Sequence, residues 1–339
     1  MSGRGPDFLG IGAQKAATTW LYRNLARHPG IWLHPEVKEF HYFDDRDDLI
    51  GQTLWRKLRG DSRADIRWRR RMRRRLGQAR LSGLGWEARF YLRRPSDAWY
   101  LSLFDGAGDR VAGDLTPSYL PLSGDEIRHI HSLLPDLRLV MMVRHPVERI
   151  WSAMAYFRAQ GKGRTWEDVP REKVLRFLDS DNVRDMTDYA AALERWSGVF
   201  GSDRVFVGFT DDVTHHPGRL VEDVQRFLGV EPEVDESLLG DRINWTSHRT
   251  MPGWAAAHLA ESTRGWLDGL ERMLGGHTAW WRFSTERLVD WPADDELIYP
   301  LLDGPLWQEW LQAGGTDRYA SGVLAELPAE GEWRTANGE

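Results

Sequence analysis

A lysine near the N-terminus stands in a run of small residues between two segments of different pattern. Phe8–Ile11 is a short apolar run typical of a buried strand, and Thr18 or Thr19 is placed to cap a helix that follows. Lys15 therefore lies in a loop that leads into a helix N-terminus, where backbone N–H groups and the helix dipole favour an anion. The sequence predicts a phosphate or sulfate site at this loop.

The spacing of this loop differs from that of a nucleoside-triphosphate P-loop. Such a loop has the form G-x-x-x-x-G-K-[ST], with the lysine immediately before the hydroxyl that holds magnesium. Here Lys15 precedes Thr18 by three positions, and the second glycine is absent. The shorter loop suits a single 5′-phosphate better than a β,γ-pyrophosphate. Considered alone, the segment leaves open an ordinary strand–turn–helix with an exposed lysine.

A second candidate anion site follows another apolar run. Leu139–Val143 contains no polar residue, as expected of a strand buried on both faces of a parallel sheet. Arg144 comes at the carboxyl end of this strand, Pro146 suits the first turn of a helix, and Ser152 lies about two turns into that helix. A guanidinium and a hydroxyl that converge there provide bidentate recognition of an anion.

Together these two segments resemble the sulfotransferases that use 3′-phosphoadenosine 5′-phosphosulfate (PAPS), of the bacterial type related to heparan sulfate sulfotransferases. The 5′-phosphosulfate loop of that family, K-x-[GA]-T-T, matches Lys15–Thr19, with Ala17 where many members have glycine. Its 3′-phosphate motif, R-x-P-x-x-R-x-x-S, is matched by Arg144, Pro146, Arg149 and Ser152.

Two shorter motifs between these segments strengthen the resemblance. The pattern H-P-x-[IV] matches His28–Ile31, and K-E-x-x-[FY]-F matches Lys38–Phe43. The resemblance extends weakly as far as Val230 and fades after about Asn244. Several motifs in the right order and separation make the signal specific.

The resemblance implies a catalytic role for the Lys38–Phe43 motif. Glu39 aligns with the base that takes the acceptor proton in glucosaminyl sulfotransferases, and the alternative is a surface carboxylate paired with Lys38. His41 is a competing base, because other sulfotransferase branches use histidine. The alternative for His41 is a structural histidine packed beside its aromatic neighbours.

A third segment, Val111–Leu120, is expected to place residues near the substrate. Val111–Leu120 resembles the family's [ED]-x-[ST]-P-x-Y strand end. Because ligands of open α/β sheets collect at strand carboxyl ends, we expect Asp114 and Thr116 near the reacting centre. Lys38 is expected on the same, substrate side. Leu115 stands where glucosaminyl 3-O-sulfotransferases have a lysine next to the sulfuryl group. Either that charge is missing or another residue supplies it.

The resemblance also implies which residues hold the donor. Lys15 and the backbone N–H groups after it would bind the bridging oxygen and the 5′-phosphate, and the 3′-phosphate motif would select PAPS over ordinary adenylates. A basic loop closes over the 3′-phosphate in related enzymes. No metal is expected, because the sulfuryl group carries less charge than a γ-phosphoryl group. The expected donor-binding residues are Lys15, Ala16, Ala17, Thr18, Thr19, Trp20, Arg144, Ser152, Arg242, Ser247 and Arg249.

Residues 45–105 carry no family pattern and show a shift in composition. Arg63–Arg80 holds nine arginines and one acid, and the four-residue spacing of Trp68, Met72 and Leu76 predicts a basic helix with a narrow apolar stripe. Three interpretations remain open: a face toward an anionic acceptor, a nucleic-acid or membrane-surface helix, and a solvated helix paired with acidic residues. As an insertion after the base motif, this region is placed to border the acceptor cleft.

Length and composition set the remaining bounds. The 339 residues suffice for one large domain, and the absence of cysteine fits a reducing cytoplasm. No apolar run has signal-peptide or membrane-spanning length, so we expect a cytoplasmic protein. The net charge of −6 gives no general drive toward nucleic acid. We expect a single α/β domain over residues 1–339, with a P-loop-like central parallel sheet flanked by helices on both faces, and a helical, tryptophan-rich part from 245 to 339.

The predicted function is transfer of a sulfuryl group from PAPS to a hydroxyl or amine of a glycan or small-molecule acceptor. The reaction would be an in-line displacement with a carboxylate base and would release adenosine 3′,5′-bisphosphate. Two other classes remain open. A P-loop-like kinase would require magnesium and ATP, and a non-catalytic module would bind anions or nucleic acid through Arg63–Arg80.

Overall fold

The structure is a computed structural model of the chain. It describes residues 3–35, 37–44, 58–60, 66, 69–70, 72–74, 84–159, 169–240 and 250–326. Most of the predicted basic helix, Arg63–Arg80, lies outside the described residues, so its three interpretations stay predictions.

A six-stranded sheet forms the centre of the molecule. The described residues contain eight strands, six of which belong to this sheet: β1 (Phe8–Gly12), β2 (Ile31–Trp32), β3 (Val111–Leu115), β4 (Arg138–Val143), β5 (Val205–Phe209), β6 (Thr250–Pro252), β7 (Glu296–Ile298) and β8 (Gly322–Val323). The order in the sheet is β2-β3-β1-β4-β5-β8, and its first five strands are parallel, whereas β8 pairs with β5 in the antiparallel sense. β6 and β7 form a separate antiparallel pair.

Helices connect and cover the strands. The described α-helices are α1 (Thr18–Leu25), α2 (Leu84–Leu92), α3 (Asp97–Ser102), α4 (Gly124–Leu133), α5 (Pro146–Ala159), α6 (Arg171–Leu178), α7 (Asp181–Asp185), α8 (Tyr189–Phe200), α9 (Thr210–His215), α10 (Pro217–Leu228), α11 (Glu236–Leu239), α12 (Gly253–Leu274), α13 (His277–Val289) and α14 (Pro305–Gln312). Of these, none is both long and apolar enough to cross a membrane. The predicted α/β fold with a mostly parallel central sheet is confirmed.

The sheet is buried on both faces. Every residue of β1 and β5 is buried, as are all residues of β4 after Arg138, which explains why these strands read as continuous apolar runs. Gly10 in β1 permits a close approach, because a Cβ atom there would lie 2.7 Å from the Leu115 side chain of β3.

The strand order creates a crevice between β1 and β4. The chain leaves β1 toward the β2 edge of the sheet, whereas it leaves β4 toward β5 on the other side. Such a change of direction opens a space beyond the carboxyl ends of the two strands, which is where open α/β sheets bind ligands. The loop that carries Lys15 follows β1, and Arg144 follows β4, so both predicted anion sites lie at this crevice.

The C-terminal part is helical and rich in buried tryptophan. Helices α12 and α13 pack against each other, and Trp280 and Trp281 of α13 are buried. Trp281 Nε1 donates to the Asp211 carboxylate at 3.2 Å, and His277 Nε2 lies 2.7 Å from Asp212 Oδ1. These bonds join the C-terminal helices to α9, which follows β5, and so fix them beside the crevice.

Candidate active site

The loop after β1 turns sharply through left-handed backbone conformations. Lys15 has φ 69° and Ala17 has φ 56°, and Ala17 is the N-cap of α1 without a side-chain cap. The prediction that Thr18 or Thr19 caps the helix is therefore wrong. The reason is that Thr18 is already helical, and its hydroxyl accepts from Lys38 Nζ at 3.0 Å. A turn of this kind directs backbone N–H groups into a concavity that suits an anion.

Ala17 occupies a position that favours glycine, because a Cβ atom is strained in the left-handed region by about 1–2 kcal/mol. We expect Ala17→Gly to raise the free energy of unfolding by about 0.5–1 kcal/mol, since relief of that strain exceeds the added entropy of the unfolded chain. Urea unfolding with an unchanged m-value measures the difference. The matched control is Ala257→Gly inside α12, which should lower the stability by about 1 kcal/mol. An Ala17→Gly protein no more stable than the wild type would contradict the expectation.

A cavity of about 750 Å³ opens over the carboxyl ends of β1 and β4, within the usual size of a small-molecule site. It brings together ten of the predicted site residues: Lys15, Ala17, Thr18, Thr19, Trp20, Lys38, Glu39, His41, Arg144 and Ser152. Ala16, Asp114 and Thr116 are buried beneath or beside it. Arg242, Ser247 and Arg249 lie outside the described residues, so their assignment stays a prediction.

Lys15 lies among other cations at the base of the cavity. Burial lowers the pKa of Lys15 to about 8, and the positive charges of Arg144 and Lys38 contribute to that shift. Its Nζ atom lies 4.2 Å from the centre of the Tyr156 ring. A bound anion would stabilise these neighbouring cations, which repel each other. The electrostatics therefore favour a phosphate or sulfate at this position.

Lys38 connects the loop to the predicted base. Its Nζ donates to Thr18 Oγ1 at 3.0 Å, to Thr19 Oγ1 at 3.4 Å and to Glu39 Oε1 at 3.0 Å. Burial lowers the pKa of Lys38, although Glu39 acts in the opposite direction. The Lys38 ammonium group therefore contacts the loop after β1 on one side and the Glu39 carboxylate on the other.

Glu39 is held between two cations. His41 Nε2 lies 3.2 Å from Glu39 Oε2, and His41 Nδ1 lies 2.7 Å from Asp44 Oδ2. Burial raises the pKa of Glu39, but the hydrogen bonds from His41 and Lys38 outweigh it and hold the pKa at about 2. Burial lowers the pKa of His41, but Asp44 and Glu39 outweigh it and raise the pKa to about 10. At neutral pH His41 is thus an imidazolium without a free lone pair, which favours Glu39 as the base.

Arg144 is held by the helix that follows it, α5, and by the loop after β1. Its Nε and Nη2 atoms donate to Glu148 Oε2 at 3.0 and 2.8 Å, and its Nη1 donates to the carbonyl oxygen of Lys15 at 3.3 Å. Burial lowers the pKa of Arg144, but its neighbours, among them Glu148, outweigh it and raise that pKa. The contact to Lys15 joins the two predicted anion sites directly. Ser152, one turn beyond Glu148 on α5, lines the same cavity.

The sequence of this chain matches a known protein family. A family model described as the sulfotransferase family matches residues 6–236, which is more than half of the chain. The chain belongs to the sulfotransferase family. The match contains both predicted anion sites and the Glu39 segment.

Similar proteins include sulfotransferases from animals and bacteria. The chain is 28% identical over 147 residues to human heparan sulfate glucosamine 3-O-sulfotransferase 6, a match that covers 41% of each protein. It is 22% identical over 240 residues to mouse bifunctional heparan sulfate N-deacetylase/N-sulfotransferase 1, a match that covers 68% of this chain and 23% of that relative. The matches thus span about two fifths and about one quarter of these relatives.

A solved structure shows the same fold. The crystal structure of a sulfotransferase from Alicyclobacillus acidocaldarius superposes with a TM-score of 0.55 and 24% sequence identity. The match covers 82% of this chain and 98% of that chain. The mostly parallel sheet flanked by helices is therefore a sulfotransferase architecture.

In this member of the sulfotransferase family, Asp114 and Thr116 lie beneath the Glu39 segment and do not line the cavity. Asp114 is 1% exposed and Thr116 is 0% exposed. The backbone N–H of Phe40 donates to Thr116 Oγ1 at 3.0 Å, and Thr116 Oγ1 donates to Asp114 Oδ1 at 2.7 Å. Burial raises the pKa of Asp114 to about 6 despite the hydrogen bonds it accepts. These contacts fit a role in positioning Glu39, and contact with substrate stays a prediction.

Three residues of the site have no role in the sequence-based prediction. Asp44 pairs with His41 three positions before it, and Glu148 pairs with Arg144 four positions before it, so local spacing could have indicated both. Tyr299 accepts a hydrogen bond from Arg144 Nη2, and it belongs to a segment beyond the family match that no local pattern marks. Among the described residues, no group of three or more His, Cys, Asp or Glu side chains is arranged to hold a metal ion.

Proposed function

We propose that this sulfotransferase uses PAPS as its donor and transfers the sulfuryl group to a hydroxyl of a glycan or small-molecule acceptor. The observation that supports the proposal is that the two predicted anion sites meet in one cavity, where Arg144 Nη1 lies 3.3 Å from the Lys15 carbonyl oxygen. A donor with a phosphate at each end of one adenosine fits such a pair of sites. An ordinary adenylate would use only one of them.

The loop from Lys15 to Thr19, which we call the donor loop, would bind the 5′ end of PAPS. The N–H groups of Ala17 to Thr19 and the Lys15 ammonium would bind the 5′-phosphate and the bridging oxygen, where negative charge increases in the transition state, whereas the Ala16 N–H already donates to the Ala13 carbonyl oxygen at 3.2 Å. Arg144 and Ser152 would hold the 3′-phosphate, and Trp20 lines the cavity with its Nε1 bonded to the Leu239 carbonyl oxygen at 3.3 Å. PAPS supplies the activated sulfuryl group, whose bond to the 5′-phosphate oxygen breaks as the acceptor oxygen bonds to sulfur.

Glu39 would accept the proton of the acceptor hydroxyl. The carboxylate is ionised in the free protein because Lys38 and His41 donate to it. An anionic donor beside Thr18 and Thr19 would compete for the Lys38 ammonium. Loss of that partner raises the pKa of Glu39 and makes the carboxylate a stronger base when the donor is in place.

Lys38 is our candidate for the charge that Leu115 does not provide. Leu115 is buried against Gly10 in the core, where a cation would have no access to the cavity. The Lys38 ammonium instead contacts the hydroxyls of Thr18 and Thr19 on the donor loop. We therefore propose that Lys38 stabilises the sulfuryl group and the leaving bisphosphate.

Binding of the donor should weaken as the pH rises above about 8. An anion binds the protonated form of Lys15, whose pKa in the free protein is about 8. Below that pH Lys15 is protonated and the affinity for the donor does not change with pH. Above it, the affinity falls by up to tenfold per pH unit. Calorimetric titration with adenosine 3′,5′-bisphosphate between pH 6.5 and 9.5 measures the profile, and Lys15→Ala should flatten it. A wild-type affinity that is constant or rises through pH 9 would exclude this role of the Lys15 charge.

The names of the relatives support a sugar hydroxyl as the acceptor class. The human relative is described as a 3-O-sulfotransferase of heparan sulfate glucosamine, and the matched segment includes less than half of this chain. Incubation with [35S]-labelled PAPS and separate pools of glycans, phenols and amino sugars tests the proposal. We expect label to enter a hydroxyl-bearing acceptor without added metal. If [γ-32P]ATP with magnesium labels an acceptor and PAPS does not, the protein is a kinase and the proposal fails.

A further inference from the structure

The hydroxyl of Tyr299 lies between the two residues assigned to the 3′-phosphate. Arg144 Nη2 donates to Tyr299 Oη at 2.8 Å, and Ser152 shares a side-chain hydrogen bond with the same hydroxyl. The Arg144 guanidinium carbon also lies 5.4 Å from the centre of the Tyr299 ring. Tyr299 is 5% exposed, so its ring cannot leave this position without disturbing the packing around it.

The segment that carries Tyr299 is itself bonded to the same arginine. Tyr299 directly follows β7, and the Leu301 N–H donates to Glu148 Oε1 at 2.5 Å. The second oxygen of Glu148 accepts from Arg144. The C-terminal segment therefore reaches the Arg144 side chain by two routes, one through the phenol and one through the Glu148 carboxylate.

We propose that Tyr299 is a positioning residue for recognition of the donor 3′-phosphate. Its hydroxyl sets the separation and orientation of the Arg144 guanidinium and the Ser152 hydroxyl, so that both can contact one phosphate group. This inference rests on the proposed use of PAPS. It adds a determinant from the C-terminal part of the chain, beyond the residues that the family model matches.

The chemistry favours a phenol in this position. A second carboxylate would repel the phosphate, and a further cation would repel Arg144. Burial raises the pKa of Tyr299, although the charge of Arg144 acts in the opposite direction, so the hydroxyl keeps its proton at neutral pH. A neutral hydroxyl can accept from Arg144 and bond to Ser152 at the same time.

The test compares two nucleotides that differ only in the 3′-phosphate. Calorimetric titration of the full chain with adenosine 3′,5′-bisphosphate and with adenosine 5′-monophosphate gives the preference for the 3′-phosphate as a ratio of affinities. We expect Tyr299→Phe, which removes one oxygen atom, to lower this ratio about tenfold and to leave the affinity for the monophosphate unchanged. Thermal unfolding verifies that the variant is folded. Tyr319→Phe is the matched control, because Tyr319 also lies against an arginine, but that arginine, Arg219, does not line the cavity, whereas Arg144 does.

A double-mutant cycle separates positioning from general structural support. If Tyr299 acts through Ser152, the loss of preference in the Tyr299→Phe, Ser152→Ala double variant should be smaller than the product of the two single losses. Equal weakening of both nucleotides, or no weakening, in Tyr299→Phe would overturn the inference and leave the proposed donor intact. A wild-type protein that binds the two nucleotides equally would overturn the proposed donor as well.

Discussion

Replacement of Lys15 by alanine should lower kcat/KM for sulfuryl transfer by about a thousandfold. The Lys15 side chain lines the cavity and comes from the turn formed by left-handed residues, and in the proposed mechanism it lies beside the leaving phosphate. The loss should affect kcat more than donor affinity, because Lys38 and Arg144 still attract the anion in the ground state. Initial rates with [35S]-labelled PAPS at varied donor concentration measure both quantities.

The control for this experiment is Lys173→Ala, which removes an exposed lysine from α6, away from the cavity. That variant should keep the wild-type rate. Lys15→Arg is a second comparison, since it retains the charge with a different shape. If kcat/KM of the Lys15→Ala protein stays within about threefold of the wild-type value, Lys15 has no catalytic role.

Glu39→Gln should lower kcat by a factor of about 10² to 10⁴, the usual contribution of a general base. The substitution keeps the shape and the hydrogen bond from Lys38 but cannot accept a proton. Donor affinity should be retained or should increase, because one negative charge near an anionic ligand is lost. Single-turnover rates together with titration by adenosine 3′,5′-bisphosphate separate the chemical step from binding.

The competing base, His41, provides a sharp comparison. It is a cation held by Glu39 and Asp44, so His41→Gln should reduce the rate less than Glu39→Gln does. The matched surface control is Glu172→Gln on α6, which should be indistinguishable from the wild type. Near-normal turnover in Glu39→Gln combined with a large loss in His41→Gln would transfer the role of base to His41.

The central sheet, and the placement of Lys15 and Arg144 at one edge of it, could be predicted from local sequence, whereas anion binding by these residues stays a prediction. Leu139–Val143 is an apolar run because the strand is buried on both faces, and a loop with Lys15 after the first strand must lie at the carboxyl edge of the same sheet. The helix cap was wrongly predicted because threonine is an ordinary N-cap residue. Here the left-handed Ala17 takes that position, since Lys38 occupies the Thr18 hydroxyl.

The rest of the site depends on contacts between distant parts of the chain. Nothing in the sequence around Tyr299 connects it with Arg144, which is 155 positions earlier. The burial of Asp114 under Phe40 likewise depends on how β3 packs against the Glu39 segment. Phe40 and Asp114 are 74 positions apart in the sequence. Such pairings follow from the three-dimensional arrangement of strands, and residue spacing alone does not indicate them.

The most direct test of the account is a crystal structure of the protein with adenosine 3′,5′-bisphosphate. We predict the 5′-phosphate within about 3 Å of Lys15 Nζ and of the N–H groups that follow it, and the 3′-phosphate at the same distance from Arg144 and Ser152. A bisphosphate bound with either phosphate away from these two sites, or bound outside the cavity between β1 and β4, would contradict the account.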